Sequence, residues 1–218
     1  MTIHMNSGLK MYMESAIGSA KTISGITKAA PGVISSTAHG FTNGDIVLLE
    51  VQGMLEVHGN LYKVVNATTD NFQVAGADGT TGLDTTSFNT FSSGTAKKIT
   101  LGTTITGCQD FNSQGGDIKT TDTTTVHDTR DKEAVVGATA QSYDLVMQWD
   151  PSSAAQQAMK TAFQKLQNKA FKIEWPDGVY VLFYGTVGYT GAPGGGKQGV
   201  TTSPAKISIL NDITVYPA

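Results

Sequence analysis

Tyr143 to Trp175 reads YDLVMQWDPSSAAQQAMKTAFQKLQNKAFKIEW, and this stretch decides the fold. Both of its ends alternate apolar and polar residues with the period of a half-buried β-strand. Between them, Asp150 as N-cap and Pro151 at the first helical position predict one amphipathic helix over about residues 151–169. Helical spacing predicts a core-facing stripe made of Ala155, Met159, Ala162, Phe163 and Leu166.

The rest of the chain carries strand and turn signals. Leu9–Glu14 alternates apolar and polar residues, and residues 22–98 hold short apolar runs separated by turns such as Asn43-Gly44-Asp45. We therefore predict a mainly β protein with three parts. These are an N-terminal strand and loop in residues 1–21, a small inserted all-β domain in residues 22–98, and a larger β-sandwich or barrel with one flanking α-helix in residues 99–218.

Composition narrows the class of protein. The chain has 218 residues, 15% of them charged, a net charge of −3 and a single cysteine, Cys108. A net negative charge argues against a basic nucleic-acid-binding module, and one cysteine excludes an intramolecular disulfide. The N-terminus lacks the pattern of a signal peptide, and the longest apolar run, Val179–Tyr184, is too short to span a membrane. These features fit folding in a reducing cytoplasm.

A glycine-rich segment resembles a phosphate-binding loop only in part. Gly191–Lys197 satisfies the spacing GxxxxGK, but Gln198 stands where a Ser or Thr would ligate magnesium. Strand-like residues follow it, whereas a phosphate loop opens a helix whose N-terminus faces the phosphates. The segment is interpreted as a flexible surface or interface loop.

No catalytic or metal-binding constellation is evident. The four histidines lack metal-ligand spacing, no GxSxG occurs, and Cys108 is expected to be a buried, inert thiol. Asp128, Asp131 and Glu133 lie beside bases in one polar stretch, predicted to be a mobile loop over His127–Thr139. Those charges are interpreted as solvated or as pairing with a neighbouring subunit. We expect no cofactor, no metal and no enzymatic activity, and an enzyme acting through these three carboxylates is the weakest hypothesis.

Taken in order, the motifs of residues 99–218 resemble the major tail tube protein of long, non-contractile-tailed bacteriophages. They are the Thr-rich Asp117–Val126, the strand Tyr143–Asp150, the helix Ser152–Asn168, the hairpin start Phe171–Gly178, Tyr184–Val187 and the final Ile213–Val215. Residues 22–98 resemble a small β module inserted in many phage tail proteins. That second resemblance is carried by Val33–Phe41, Asn43-Gly44-Asp45, Gly59–Tyr62 and Asn71–Val74.

The first resemblance implies a structural subunit. Subunits of that family form hexameric rings that stack into a helical tube, and each contributes strands to an inner β-barrel. DNA would pass through the lumen into the host without specific binding. The implied partners are the tape measure, tail terminator and tail-tip proteins. The implied location is the virion tail, assembled in the host cytoplasm.

The resemblance also implies roles for particular residues. An inter-ring stacking loop would contain Thr125, His127, Asp128, Arg130, Asp131, Lys132 and Glu133. Asp117 and Asp122 would face the lumen. The inserted domain would decorate the outer surface, for host-surface adhesion or for lattice stabilisation. The alternative hypothesis is a carbohydrate- or host-surface-binding β module of a virion or secreted protein, which would use the aromatic residues of 22–98.

Overall fold

The structure, a computed structural model, describes residues 6–218 of the chain. The first strands are β1 (Lys10–Met13), β2 (Ala16–Ile17), β3 (Lys21–Ile23), β4 (Gly25–Ile26), β5 (Ile34–Ser35), β6 (Ile46–Gln52), β7 (Leu61–Val65), β8 (Asn71–Val74) and β9 (Ser93–Thr100). The others are β10 (Thr103–Ile105), β11 (Cys108–Gln114), β12 (Ile118–Asp122), β13 (Glu133–Ala138), β14 (Ser142–Gln148), β15 (Asn168–Glu174), β16 (Tyr180–Gly188), β17 (Thr202–Ile209) and β18 (Thr214–Tyr216). A 3-10 turn spans Leu55–Val57, and the helix α1 spans Ala154–Gln164.

The larger domain is built on one antiparallel sheet in the order β10-β1-β15-β16-β17-β14-β11, with β18 also paired to β16. Both halves of this sheet supply side chains to the same core, such as Met11 and Ile173 from one half and Leu145 and Ala205 from the other. The sheet therefore folds over on itself as a β-sandwich. The helix α1 packs against β16 and β10 and adds to this sandwich core. The predicted mainly β fold with one helix is confirmed.

The smaller domain, called the module, has a second sheet in the order β2-β9-β6-β7-β8-β5-β4, with β3 paired to β9. It has its own core, in which Phe41 and Phe72 meet edge to face at 5.3 Å. The chain passes from the larger domain into the module between β1 and β2. The predicted boundaries at residues 21 and 98 stay predictions, and residues 1–5 of the predicted N-terminal unit lie outside the described residues.

A third cluster, the shared core, joins the module to the outer face of β15, β16 and β18. Its buried members are Leu48, Leu61, Val65, Ala75 and Ile99 from the module and Ala170, Leu182 and Tyr216 from the larger domain. The Tyr216 hydroxyl accepts the Lys63 N–H at 3.1 Å and donates to the Ala75 carbonyl at 3.3 Å. Burial raises the pKa of Tyr216 far above its ordinary value, so this phenol stays protonated.

Polar contacts reinforce the junction between the two domains. Asn211 donates to the Gly59 carbonyl at 3.1 Å, and the Asp212 N–H donates to Asn60 at the same distance. Beside the junction, Lys169 and the buried carboxylate of Glu14 form an ion pair of 3.0 Å. Because apolar and polar contacts coincide, the module is fixed to the sandwich.

The helix is shorter than the sequence indicates. It begins after Ser153, whereas Asp150, the predicted N-cap, instead accepts hydrogen bonds from the N–H and the hydroxyl of Ser152. It ends at Gln164, because Leu166 adopts a left-handed φ of +52° and the Gln167 N–H returns to the Ala162 carbonyl.

The core-facing stripe is correspondingly shorter. Ala155, Met159 and Ala162 are buried in the sandwich core. The prediction was wrong for Phe163, which is 37% exposed, and for Leu166, which is 80% exposed. Leu166 lies beyond the last helical turn, so helical spacing no longer determines where its side chain points.

Candidate assembly surfaces

Between β11 and β14 the chain leaves the sandwich as a hairpin, and residues 117–139 of it are called the arm. Within the described residues, β12 and β13 pair only with each other, and every residue of both strands except Ala134 is exposed. The predicted mobile loop over His127–Thr139 was therefore wrong for its second half, where β13 forms. β12 contains two threonines and pairs with the more apolar β13 through their backbones. An isolated two-stranded hairpin is only marginally stable in water.

Two glycines shape the base of the arm. Gly115 and Gly116 have φ values of +79° and +87°, which favour glycine over any other residue. A Cβ at Gly115 would clash with the Ala140 carbonyl, and the Gly116 N–H donates to the Thr139 carbonyl at 3.3 Å. The two ends of the arm thus lie side by side, and the arm leaves the sandwich through a narrow neck.

The tip of the arm is held by its own side chains. The Asp128 carboxylate accepts the N–H and the hydroxyl of Thr125, both at 2.9 Å, and pairs with Lys132. Lys132, with help from Thr125, holds the pKa of Asp128 below its ordinary value. Hydrogen bonds from Thr124 lower the pKa of Asp122 in the same way.

The structure brings the predicted stacking residues together at this tip. Six of the seven lie in the turn that joins β12 to β13, and Glu133 is the first residue of β13. Asp117 lies at the base of the arm and Asp122 ends β12, both exposed. Sequence reasoning missed the apolar part of the arm, where the exposed side chains are Ile118, Val126, Val135 and Val136.

The opposite end of β11 and β14 forms a second exposed surface, called the far pole. There the Trp149 N–H donates to the Thr201 carbonyl at 2.9 Å, and its indole N–H donates to the Gly191 carbonyl at 3.2 Å. Trp149, Pro151, Gln157, Lys160 and Gly191 line a cleft of about 170 Å³. Trp149 is 39% exposed beside it.

The glycine-rich segment belongs to this far pole. Gly194 exchanges two backbone hydrogen bonds of 2.8 Å with Thr202, and a turn at Gly196–Gly199 leads directly into β17. No helix follows Lys197, so the segment lacks the helix N-terminus on which a phosphate loop depends.

A third surface is the outward face of β11, β14 and β17, which neither the module nor the helix covers. Asp144 pairs with Asn112 and Lys206 in register, and its carboxylate lies 3.8 Å from the Lys206 ammonium. The same face is mostly polar along all three strands, with Val146 and Pro204 as exposed apolar residues. Its polar residues are Asp110, Asn112, Gln114, Asp144, Gln148, Thr202, Lys206 and Ser208.

The sequence as a whole was also compared with known proteins. A family model described as "Phage tail tube protein, TTP" matches residues 52–218. The chain belongs to the phage tail tube protein family. The match begins at the last residue of β6, so it includes the second half of the module as well as the β-sandwich. No curated protein matches the chain.

Membership in the tail tube family has two direct consequences. It assigns the chain to a structural class, and it implies that the protein is located in the virion tail and assembles into a tube with other tail proteins. Among residues 6–218, no group of three or more His, Cys, Asp or Glu side chains could hold a metal ion. No helix in that range is long and apolar enough to cross a membrane.

Proposed function

We propose that this tail tube protein forms hexameric rings that stack into a helical tube, through which DNA passes into the host. The observation that carries the ring-stacking part is the arm. It contacts little of its own chain and exposes apolar side chains such as Val126 and Val135. A hairpin of this kind gains stability when a second copy covers it. The seven predicted stacking residues at its tip remain the proposed contact between rings.

The sheet edges support ring closure. β10 and β11 are the terminal strands of the sandwich sheet, and each has one unpaired edge within the described residues. Unpaired edges invite pairing with another chain. Neighbouring subunits that join such edges head to tail would close a ring, whereas head-to-tail stacking along the axis stays open and produces a filament.

The outward face of β11, β14 and β17 is the proposed lining of the channel. The module covers the other outward face of the sandwich, which leaves this polar face free. Its lysine, Lys206, lies beside Asp144, so the face offers DNA no unpaired cation, and cations are what drive binding to phosphates. Asp117 and Asp122 continue from β11 into the arm and stay part of the proposed acidic lining.

The remaining parts of the proposal concern partners. A tube of this kind would contact a tape measure protein inside, a terminator at one end and a tip complex at the other, after assembly in the host cytoplasm. The module would lie on the outer wall, for host-surface adhesion or lattice stabilisation. Its five aromatic residues, Phe41, Tyr62, Phe72, Phe88 and Phe91, all belong to or pack against the module core, which disfavours an aromatic sugar-binding platform.

Negative-stain electron microscopy of the concentrated protein tests the proposal. We expect striated hollow tubes from the unsubstituted chain. Excising residues 117–139 and joining Gly116 to Ala140 should leave a folded subunit that forms no tubes, because the two ends of the arm already lie side by side. Circular dichroism and a melting curve check the folding of this variant. Tubes of normal length from the excised variant would overturn the role of the arm.

A further inference from the structure

The arm and the far pole lie at opposite ends of the same two strands. β14 begins at Ser142, next to the arm, and ends at Gln148, next to Trp149. Seven residues of strand separate the two surfaces by about 20 Å. When copies of the chain are stacked head to tail, the arm of one copy therefore points toward the far pole of the next.

The charges of the two surfaces are complementary. Residues 117–139 contain five acids and three bases, a net charge of −2. The far pole, taken as residues 149–160 and 191–201, contains Asp150 against Lys160 and Lys197, a net charge of +1. Neither lysine forms an ion pair with any residue of the described chain, and Asp131 on the arm forms none either.

The apolar features match as well. Val126 at the arm tip is 97% exposed. The cleft beside Trp149 has room for a small aliphatic side chain, because its volume is about 170 Å³. Gly191 lines this cleft with a left-handed φ of +74°, which favours glycine, and the Lys160 side chain lies within van der Waals distance of it. The indole and backbone hydrogen bonds of Trp149 hold the cleft in shape within the single subunit.

We propose that the arm tip of one copy docks into the Trp149 cleft of a second copy in the adjacent ring. Val126 enters the cleft, and the acids of the tip face Lys160 and Lys197. This assignment rests on the proposed stacking of rings and adds the surface that receives the arm. The contact is heterologous and does not close, so each docked arm leaves a free cleft for the next ring.

Cross-linking tests the contact. In a Cys108→Ser background, Val126→Cys and Gln157→Cys are introduced together, and assembled tubes are treated with a short bismaleimide. Denaturing gels should show a ladder of linked chains. The matched control pairs Val126→Cys with Ser87→Cys, an exposed position on the module, and should remain monomeric. A ladder from the control pair alone would overturn the docking. The absence of a ladder from both pairs in intact tubes would overturn it as well.

Charge reversal provides a second test that needs no new cysteine. Lys160→Glu should abolish tubes at low salt while the subunit melts as before, because this side chain is exposed. The matched control is Lys165→Glu, which makes the same charge change just after the C-terminal end of α1, outside the residues that line the cleft, and should still give tubes. Normal tubes from Lys160→Glu would contradict the docking and leave the tube function intact. Failure of the unsubstituted chain to form tubes would overturn both.

Discussion

The shared core and the arm both carry apolar side chains, but those of the shared core are buried within the subunit and those of the arm are exposed. In the shared core, Leu48, Leu182 and Tyr216 are at most 1% exposed, and the polar groups around them are hydrogen-bonded. In the arm, Ile118 and Val135 are each 68% exposed. The chain therefore completes the shared core by itself, whereas the arm keeps apolar side chains exposed, as the proposed contact with a second copy requires.

The shared core also changes how the module should be regarded. A domain tied on through a linker would not bury side chains such as Leu48 and Leu61 against β16 and β18. The family match begins inside the module, which agrees with a module that is part of the fold. The module is therefore held in a fixed orientation by buried contacts, and any role on the surface would be performed in that orientation.

The largest expected effect comes from breaking the shared core. Tyr216→Ala should lower the free energy of unfolding by about 3–5 kcal/mol, because it empties a fully buried aromatic site between the two domains. Tyr216→Phe is the matched control. It removes only the hydroxyl that serves Lys63 and Ala75, and should cost about 1–3 kcal/mol. Urea unfolding measures both, and a loss below about 1 kcal/mol for Tyr216→Ala would show that the domains are stable independently.

The sequence predicted the strands that have one buried face, and it predicted the arm less well. β14 alternates apolar and polar residues because one of its faces lies against the sandwich core. β12 has the burial pattern of a strand exposed on both faces, so no such alternation was available. A register shift between Lys119 and Thr120 further disrupts the pattern.

Helical periodicity failed to predict every buried side chain of α1, for a different reason. Gln156 lies outside the predicted core-facing stripe, yet it is buried. It accepts hydrogen bonds from the Tyr189 hydroxyl and the Asp150 N–H and donates to the Gln148 carbonyl. Those partners come from separate elements, which a helical wheel cannot anticipate. The assembly surfaces share this limit, since the cleft at Trp149 is formed with Gly191, which lies 42 residues further along the chain.

A matched pair of valines sharpens the comparison. Val65→Ala removes two methyl groups from the shared core and should cost about 2 kcal/mol of unfolding free energy. Val135→Ala makes the same change in the arm and should alter the stability of the subunit by less than about 0.5 kcal/mol. In tubes, the difference should narrow if the arm is covered. Equal effects of the two substitutions in the free subunit would contradict the claim that the arm is not packed against the rest of its own chain.

The smallest expected effect is local and depends on pH. The pKa of Asp128 is lowered in the folded arm, so its contribution to the order of the tip is present above the ordinary Asp pKa of about 4 and is lost as the pH falls through the lower folded value. The amide signal of Thr125, whose N–H the carboxylate accepts, should report this titration in NMR spectra of the subunit, while signals from the shared core stay fixed.

In the module, Asp78 offers an internal reference, since hydrogen bonds from Thr81 and Thr80 lower its pKa to about 2. The Thr125 signal should therefore shift at a pH below about 4, and this shift should be absent in Asp128→Asn. A Thr125 signal that stays unchanged down to the pH at which the Asp78 loop titrates would contradict the capped tip.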